Sequence, residues 1–428
     1  MTNSTFLFET FLRCRRVATD TRTIAPGAIF FALKGENFNG NQFANEALEK
    51  GAVLAVVDEE KYASHEKCLL VEDTLSTLQV LAREYRETLE IPFIGIGGSN
   101  GKTTTKELIT AVLGKQYNTF ATKGNLNNHI GVPLTILSIP EQTEVAVIEM
   151  GANHIGEYAH LCEIALPTHG VVTNIGLDHL EGFGSLEGVA QANGELYDFL
   201  YESQGTVFVN SQEDYLKKLT ERFEQVITYP SAGDYYQANV TKHSPYLQLT
   251  TEKGEVIDTH LFGMYNFANA TTALCIAKYF GVSSEKANEA VAGYQPQNNR
   301  SQIIHKESNT LILDAYNANP SSMMRAIESF AAIEASHRVV ILGDMYELGI
   351  HTDIEHKKLG ELVAAQSFDL VVFYGEHIIA ALLDNPKAYY FPDKFSLHNW
   401  LKDKKLEGAH VLIKGSRGAA LETVVDFI

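Results

Sequence analysis

The stretch Ile94–Leu113, IGIGGSNGKTTTKELITAVL, joins a short apolar run to a glycine turn and then to a helix-like segment. Backbone N–H groups stay free at the start of such a helix and can hold phosphate oxygens. Lys102 is placed to reach the β- and γ-phosphates of a nucleotide, and the Thr103 hydroxyl to ligate Mg²⁺. Ile96 occupies the first glycine position of the usual GxxxxGK[ST] pattern, so a plain glycine turn is the alternative. The residues expected to contact ATP are Gly98, Ser99, Asn100, Gly101, Lys102, Thr103 and Thr104.

Apolar, β-branched runs alternate with helix-length segments on both sides of this stretch. The alternation is typical of βαβ units with buried parallel strands, and it predicts an α/β protein. The runs are GAIFFAL (27–33), AVLAVVD (52–58), VAVIEM (145–150), GVVTNI (170–175), LILD (311–314), VVIL (339–342), LVVF (370–373) and VLIK (411–414).

The chain has 428 residues, which exceeds the length at which one hydrophobic core usually stops growing. Polar residues and proline interrupt the pattern near 85–91 and 295–300, which favours three domains over 1–88, 89–298 and 299–428. Residues 225–262 lose the helical period and alternate instead, so we expect an antiparallel insertion or edge hairpin there.

Charge and cysteine content exclude several classes of function. There are 34 Lys and Arg against 53 Asp and Glu, a net charge of −19 that repels nucleic acid and anionic lipid. The four cysteines are far apart, as in a cytoplasmic protein with reduced thiols. No signal-like N-terminus and no apolar run of about 18 residues is present, so we expect no membrane partner.

Two residues that follow predicted strands are candidate metal ligands. Glu149 ends the run VAVIEM, and His179 follows the next run along the chain. Open α/β sheets bind ligands at the carboxyl ends of their strands, and Mg²⁺ prefers hard oxygen ligands. We therefore expect a metal site beside the glycine loop, although each residue alone is compatible with an ordinary loop position.

Several motifs together resemble the Mur ligase family, the ATP-dependent amide-forming enzymes of peptidoglycan precursor synthesis. They occur in the family's order and span nearly all of the chain: GxxGKTT from Gly98, GNLNNHIGVP (124–133), EMGA (149–152), TNIGLDHL (173–180), NNRSQ (298–302), DAYNANP (314–320), ILGDMYELG (341–349) and KGSRG (414–418). The resemblance implies an N-terminal UDP-substrate domain, a central P-loop ATPase and a C-terminal Rossmann-like domain.

Within the family, DAYNANP and GDMYELG resemble the member that joins D-alanyl-D-alanine to UDP-N-acetylmuramoyl-tripeptide. The implied reaction uses ATP to phosphorylate the tripeptide carboxylate, after which the dipeptide amine attacks the acyl phosphate. Positioning and charge neutralisation are the main help that such a reaction needs. A monomer is the expectation, although the sequence is silent on oligomeric state and on whether diaminopimelate or lysine is the third peptide residue.

The resemblance also implies roles for polar residues outside the glycine loop. Thr103 and Glu149 bind the metal nearest the nucleotide, and His179 the metal nearer the acyl phosphate. Asn266 and Asn269 lie near adenine; Arg300 contacts the γ-phosphate and Asp314 the ribose. The residues expected near phosphate, tripeptide or dipeptide are Asn127, Asn128, Asn317, Asn319, Lys414, Ser416 and Arg417.

The N-terminal region resembles the family's UDP pocket. Its candidate contacts are Thr19, Asp20, Thr21 and Arg22, followed by a second glycine-containing loop with Lys34, Gly35, Asn39 and Gly40. Hydroxyl groups and a guanidinium suit uridine and pyrophosphate oxygens. A plain turn is the alternative for the second loop.

One position departs from the family pattern. Many Mur ligases carry a lysine before GE that CO₂ converts to a metal-binding carbamate, but here the sequence AQANGE places Asn193 in that slot. The second metal's environment is therefore in question, with Glu195 and water as possible substitutes. Alternative hypotheses are another Mur ligase, a folyl-polyglutamate synthase-like ligase and a non-catalytic nucleotide-binding regulator.

Overall fold

The computed structural model describes residues 3–428 and confirms the α/β class with three domains. The N-terminal domain contains helices α1 (Asn3–Cys14), α2 (Ala44–Glu49) and α3 (Thr74–Glu87) and strands β1 (Val17–Ala18), β2 (Ile29–Phe31), β3 (Lys34–Gly35), β4 (Phe38–Asn39), β5 (Leu54–Val57) and β6 (Cys68–Leu70). Strands β1, β2, β5 and β6 form a parallel sheet in the order β1-β2-β5-β6, and β3 and β4 form a separate hairpin.

The central domain carries the quoted stretch. Its elements are β7 (Phe93–Gly97), α4 (Lys102–Leu113), β8 (Thr119–Ala121), α5 (Gly131–Leu137), β9 (Val145–Glu149), α6 (Glu157–Ala165), β10 (His169–Val172), α7 (Leu180–Phe183), α8 (Leu186–Glu202), β11 (Thr206–Asn210), α9 (Asp214–Thr220), β12 (Ile227–Tyr229), β13 (Ala238–Lys242), β14 (Tyr246–Thr251), β15 (Val256–Phe262), α10 (Asn266–Tyr279) and α11 (Ser284–Gly293).

The central sheet has the order β12-β11-β10-β7-β9-β8, and all its strand pairs are parallel. Strand β7, which leads into the glycine loop, lies between β10 and β9. The carboxyl ends of these three strands therefore meet at one edge of the sheet. Apolar clusters cover both faces, which explains why the strands read as continuous apolar runs.

The antiparallel insertion was predicted only in part. Strands β13, β14 and β15 form a three-stranded antiparallel sheet, and the turn between β14 and β15 contains Gly254 at φ +78°. Residues 227–229, however, join the parallel sheet as β12, paired with Phe208–Asn210. A three-residue strand has too few residues to show a period of its own, so the alternation that follows it misled the prediction.

The C-terminal domain is doubly wound. Its elements are β16 (Gln302–Lys306), β17 (Asn309–Asp314), α12 (Pro320–Ala331), β18 (Arg338–Gly343), α13 (Thr352–Ala364), β19 (Leu370–Tyr374), β20 (Tyr389–Phe391), α14 (Lys394–Lys404) and β21 (His410–Lys414). The sheet order is β16-β17-β21-β18-β19-β20, with only the β16–β17 pair antiparallel.

The segments 88–92 and 294–301 contain no helix or strand. The domain limits of 1–88, 89–298 and 299–428 stay predictions. None of the helices within residues 3–428 combines the length and apolar character that crossing a membrane requires.

Candidate active site

A cavity of about 440 Å³ lies at the carboxyl edge of the central sheet, between the central and C-terminal domains. The predicted residues that line it are Ser99, Asn100, Gly101, Lys102, Thr103, Thr104, Asn127, Asn128, Glu149, His179, Asn266, Asn269, Arg300, Asp314, Asn317, Asn319, Lys414 and Arg417. Gly98 and Ser416 lie outside this lining. The tertiary fold thus brings together predicted residues from seven of the eight motifs quoted above, together with Asn266 and Asn269.

The glycine loop needs glycine at two positions for steric reasons. Gly98 has φ +121°, and a Cβ atom there would lie 2.0 Å from Oγ1 of Thr173. Gly101 has φ +84°, and its Cβ would lie 2.5 Å from Oδ1 of Asn269. The N–H of Gly98 donates a 2.7 Å hydrogen bond to Oδ1 of Asn193. The loop is therefore held from beneath, and α4 begins directly after it.

Lys102 folds back over the loop. Its Nζ donates to the carbonyl oxygen of Gly98 and, at 3.4 Å, to that of Ser99. Burial lowers the pKa of Lys102, while the nearby carboxylate of Asp178 opposes that shift. Asp178 is itself buried and accepts a 2.8 Å hydrogen bond from the Ser99 hydroxyl, and burial raises its pKa. The ammonium group of Lys102 therefore lies beside the phosphate-binding loop.

Glu149 is a buried carboxylate with one oxygen that lacks a hydrogen bond. Its Oε1 accepts from the Thr103 hydroxyl at 3.1 Å and from Nδ2 of Asn127 at 2.8 Å. Its Oε2 has no hydrogen-bond partner among residues 3–428 and lies 3.5 Å from Nζ of Lys106. An oxygen of this kind, next to a threonine hydroxyl, fits the hard-ligand preference of Mg²⁺.

His179 contacts the C-terminal domain. Its Nδ1 lies 2.5 Å from Oε2 of Glu347, which follows β18 and also lines the cavity. The contact with the His179 ring lowers the pKa of the Glu347 carboxyl, although Nδ1 itself has no aligned hydrogen-bond partner among the described residues. Within residues 3–428 no three His, Cys, Asp or Glu side chains converge on one point. Any metal near His179 therefore needs further ligands from phosphate or water.

Asp314 and Lys414 form a buried ion pair at the ends of adjacent strands. Their side chains are 16% and 2% exposed, and Nζ of Lys414 lies 2.6 Å from Oδ2 of Asp314. Oδ1 of Asp314 accepts the backbone N–H of Ser301 at 3.0 Å. The pair places one carboxylate and one ammonium group at the carboxyl edge of the C-terminal sheet.

Two arginines share one aromatic ring. The Cζ atoms of Arg300 and Arg417 lie 3.7 Å and 5.3 Å from the ring centroid of Tyr316. The Nε atom of Arg300 is buried and has no hydrogen-bond partner among the described residues. Cation–π contact holds both guanidinium groups toward the cavity, where an anion can receive their free donors.

Asparagines support the loops around the cavity. Asn319 caps α12 by accepting the N–H of Ser322 at 2.8 Å, and Oδ1 of Asn128 accepts the N–H of Gly131 at the start of α5 at 2.9 Å. Nδ2 of Asn269 donates to Oδ1 of Asn266 at 2.8 Å. These side chains hold backbone as well as lining the cavity.

Two predicted residues of the C-terminal loops form hydrogen bonds with the backbone of the protein. Oδ1 of Asn317 accepts the N–H of Ala318 at 2.9 Å. The buried Ser416 hydroxyl donates to the carbonyl of Ala318 at 3.2 Å and accepts the N–H of Tyr346 at 3.0 Å. Ser416 therefore connects two loops beneath the cavity.

The N-terminal candidates lie at a distance from this cavity. Thr19 and Asp20 line a second cavity of about 410 Å³, together with Arg15 and Arg16. Hydrogen bonds from the Arg22 guanidinium lower the pKa of Asp20 to about 2. The N-terminal candidates outside both linings are Thr21, Arg22, Lys34, Gly35, Asn39 and Gly40.

Lys34 and Gly35 form strand β3 of the hairpin, and Nζ of Lys34 lies 3.1 Å from Oδ2 of Asp58. Asn39 belongs to the partner strand β4 and caps the following 3-10 helix at Gly40–Phe43. The second glycine-containing loop is thus a tight hairpin.

Asn193 lies beneath the glycine loop and outside the cavity lining. Its Nδ2 donates to the carbonyl of Val189 at 2.9 Å, which completes its hydrogen bonding together with Gly98. Glu195 accepts the N–H groups of Gly156 and Ala159 at 2.6 and 3.0 Å. That Glu195 compensates for the missing lysine stays a prediction; in this structure its carboxylate lies at the first turn of α6, outside the cavity lining.

Sequence reasoning missed several residues around this site, and four of them carry charge or ring contacts that matter here: Lys106, Asp178, Tyr316 and Glu347. Lys106 could have been predicted from its spacing, because it lies one helical turn after Lys102 and so shares the same face of the helix. The other three stand inside quoted motifs. Nothing in a single sequence distinguished them from their neighbours.

Three family models match the chain in succession. They are "Mur ligase family, catalytic domain" over residues 14–86, "Mur ligase middle domain" over 96–277, and "Mur ligase, glutamate ligase domain" over 299–417. A curated relative, the UDP-N-acetylmuramoyl-tripeptide–D-alanyl-D-alanine ligase of Bacillus subtilis, is 36% identical over 420 residues, which are 96% of this chain and 92% of the relative.

Solved structures show the same likeness. A crystal structure of MurF from Acinetobacter baumannii superposes with a TM-score of 0.88 at 32% identity, covering 96% of this chain and 93% of that one. The MurF ligase of Thermotoga maritima, solved in complex with ADP, superposes with a TM-score of 0.86 at 26% identity, and 97% of each chain is covered.

Proposed function

The chain belongs to the Mur ligase family, and on that premise we propose that it joins D-alanyl-D-alanine to UDP-N-acetylmuramoyl-tripeptide in peptidoglycan precursor synthesis. It is an ATP-dependent ligase, and ADP and phosphate are its other products. The near-complete coverage of ligases with this activity supports the choice among family members.

One observation carries the assignment of chemistry to the cavity. A single cavity is lined both by the glycine loop of the central domain and by cations of the C-terminal domain. Lys102 is available from one side and Arg300 from the other. A carboxylate that attacks a triphosphate brings like charges together, so cations on both sides of the transferred phosphoryl group are what this reaction needs.

The same cavity accommodates Mg²⁺ in this proposal. Glu149, through an Oε2 that has no hydrogen bond among residues 3–428 but lies near Lys106, and the Thr103 hydroxyl would hold one ion, and His179 would contribute to a second. When bound, Mg²⁺ neutralises phosphate charge and polarises the γ-phosphoryl group.

The residues of this chain then have the following tasks. Lys102 and Arg300 hold the γ-phosphoryl group while a carboxylate oxygen of the tripeptide attacks its phosphorus, and ADP leaves. The amine nitrogen of D-alanyl-D-alanine next attacks the acyl carbon, loses a proton and expels phosphate. Because residues of two domains line the cavity, docked domains would exclude water from the acyl phosphate.

The UDP end of the substrate is assigned to the N-terminal domain. Thr19 and Asp20 at the second cavity offer polar contacts, and Arg22 would have to leave its ion pair with Asp20 to meet a pyrophosphate. We propose that the enzyme acts as a monomer. We place the enzyme in the cytoplasm, where ATP is available.

A product assay tests the proposal. Purified protein is incubated with ATP, UDP-N-acetylmuramoyl-tripeptide and D-alanyl-D-alanine, and the UDP product is weighed by mass spectrometry. We expect the pentapeptide product only when all three substrates are present. Parallel reactions offer the amino acids of the earlier ligation steps, or folate with glutamate. Turnover there instead would indicate another ligase, and none anywhere would favour a non-catalytic nucleotide-binding protein.

A further inference from the structure

His179 and Glu347 meet across the boundary between two domains. His179 follows β10 of the central domain, Glu347 follows β18 of the C-terminal domain, and both line the main cavity. The distance from Nδ1 of His179 to Oε2 of Glu347 is 2.5 Å. This is the distance of an ion pair, but the Nδ1–H is not aimed at that oxygen, so Nδ1 of His179 is buried without a hydrogen-bond partner among residues 3–428. A turn of the imidazole ring would convert the contact into a charge-assisted hydrogen bond.

The two loops are packed together by several further contacts. The carbonyl oxygen of Glu347 accepts the N–H of Glu181 at 3.1 Å. The hydroxyl of Ser321 at the start of α12 accepts the N–H of Leu177 at 2.7 Å. Leu180 is buried within an apolar cluster that otherwise belongs largely to the C-terminal domain. The loop that carries the histidine therefore rests on the C-terminal domain.

Both residues adopt a backbone conformation that non-glycine residues rarely use. His179 has φ +45° and Glu347 has φ +63°. Such a conformation persists only where surrounding contacts enforce it, and it is frequent at functional sites. The two loops therefore hold both residues in conformations that their surroundings must enforce.

A hydrogen bond at one ring nitrogen of histidine determines whether the other nitrogen carries a proton. When Nδ1–H donates to a carboxylate, Nε2 of the neutral ring keeps its lone pair and becomes a better metal ligand. Asn193 has an amide and no carboxylate, and the carboxylate of Glu195 accepts the N–H groups of Gly156 and Ala159. Glu347 is the carboxylate that does contact His179.

We propose that Glu347 is a positioning residue that accepts the Nδ1–H of His179 and so prepares Nε2 to bind Mg²⁺ when the C-terminal domain is docked. The inference rests on the proposed function for the metal. The histidine would be oriented by a residue of another domain, which couples domain docking to the readiness of the metal site.

The tautomer is measured first, in the metal-free full-length protein. Ring ¹⁵N shifts of histidine-labelled protein are recorded above the histidine titration range, and the His179 signal is assigned by its loss in His179→Gln. We expect Nδ1–H in the parent, Nδ1–H again in Glu347→Gln, whose amide oxygen still accepts, and mainly Nε2–H in Glu347→Leu. This readout does not depend on ligase activity, so it separates failure of this inference from failure of the proposed function.

The Mg²⁺ dependence is measured next. Loss of an orienting partner typically weakens metal affinity or activity about 10- to 100-fold. We expect the Mg²⁺ concentration for half-maximal ligation to rise about tenfold in Glu347→Leu and less in Glu347→Gln. Glu334→Gln serves as the control and should match the parent, because Glu334 is exposed, belongs to the same domain as Glu347 and lines neither cavity.

The proposal is overturned if His179 is Nε2–H in the parent, or if Glu347→Leu changes thermal stability while tautomer and Mg²⁺ dependence stay at parent values. That second result would make the contact a purely structural ion pair. Should the leucine variant fail to fold, Glu347→Met keeps the length of the side chain without a carboxylate or amide acceptor, and an unchanged tautomer and Mg²⁺ dependence in that variant would overturn the proposal equally.

Discussion

Nδ2 of Asn319 donates a 2.9 Å hydrogen bond to Oδ1 of Asn100 and so joins the first turn of α12 to the glycine loop. The same Asn319 side chain caps α12 through its Oδ1. A single amide therefore connects the phosphate-binding loop of one domain to a helix of the next. Movement of the C-terminal domain would change the surroundings of that loop directly.

Lys102→Ala should remove ligation and preserve the fold. The change deletes the cation that neutralises the transferred phosphoryl group, and stabilisers of this kind are commonly worth about 10² to 10³ in rate. Initial rates of ADP release are compared with those of Lys217→Ala, whose side chain pairs on the surface with Asp214. Near-parent turnover in Lys102→Ala would remove the glycine loop from the mechanism.

Glu149→Gln should raise the Mg²⁺ requirement about tenfold or more, because an amide oxygen replaces a charged ligand. The amide can still accept the hydrogen bonds from Thr103 and Asn127. It leaves Lys106 without its counter-ion, so a lower melting temperature is also expected. Mg²⁺ titrations are therefore run well below that temperature, and an unchanged requirement would place the metal elsewhere.

Ligation should not respond to removal of CO₂ and bicarbonate. The amide of Asn193 cannot form a carbamate, and both of its polar atoms are bonded within the protein. Rates are compared in degassed and bicarbonate-supplemented buffer at one pH, with Asn193→Lys as the variant in which CO₂ activation is expected. Loss of parent activity without CO₂ would mean that another lysine carries a carbamate.

Tyr316→Leu should raise the KM for ATP about tenfold. The ring holds the guanidinium groups of Arg300 and Arg417, and cation–π contacts are worth about 0.5–2 kcal/mol each. Tyr316→Phe retains the ring and loses only a 3.4 Å hydrogen bond from Arg417, so it should stay near the parent. Equal defects in both variants would assign the effect to the hydroxyl and refute the stacking account.

Acidification should destabilise the protein partly through His169. Burial lowers its pKa to about 4, which is below the value of about 6.5 for an unfolded chain. The unfolded state therefore binds the proton first, and the stability that neutral His169 contributes, at most about 3 kcal/mol, is lost as pH falls from 6.5 toward 4. Melting temperatures across this range should fall less steeply for His169→Phe, and parallel slopes would contradict the assignment.

Local sequence rules account for much of the fold. The run Ile94–Leu113 specifies a strand, a glycine turn and a helix, because side-chain period and backbone freedom act between near neighbours in the chain. The same rules place Glu149 at the end of β9. The elements that these rules did not predict are short or depend on distant contacts. Strand β12 is an example, because only its pairing with β11 identifies its three residues as a strand.

The sequence by itself determined the α/β class, the phosphate-binding loop and the family, since each depends on residue types at fixed spacing. Only the tertiary structure decided which side chains meet. It paired His179 with Glu347, stacked Arg300 on Tyr316 and left Arg22 in an exposed pair with Asp20. The contact between His179 and Glu347 depends on how two domains dock, and docking is governed by the packing of complementary surfaces, which no local pattern in one chain records.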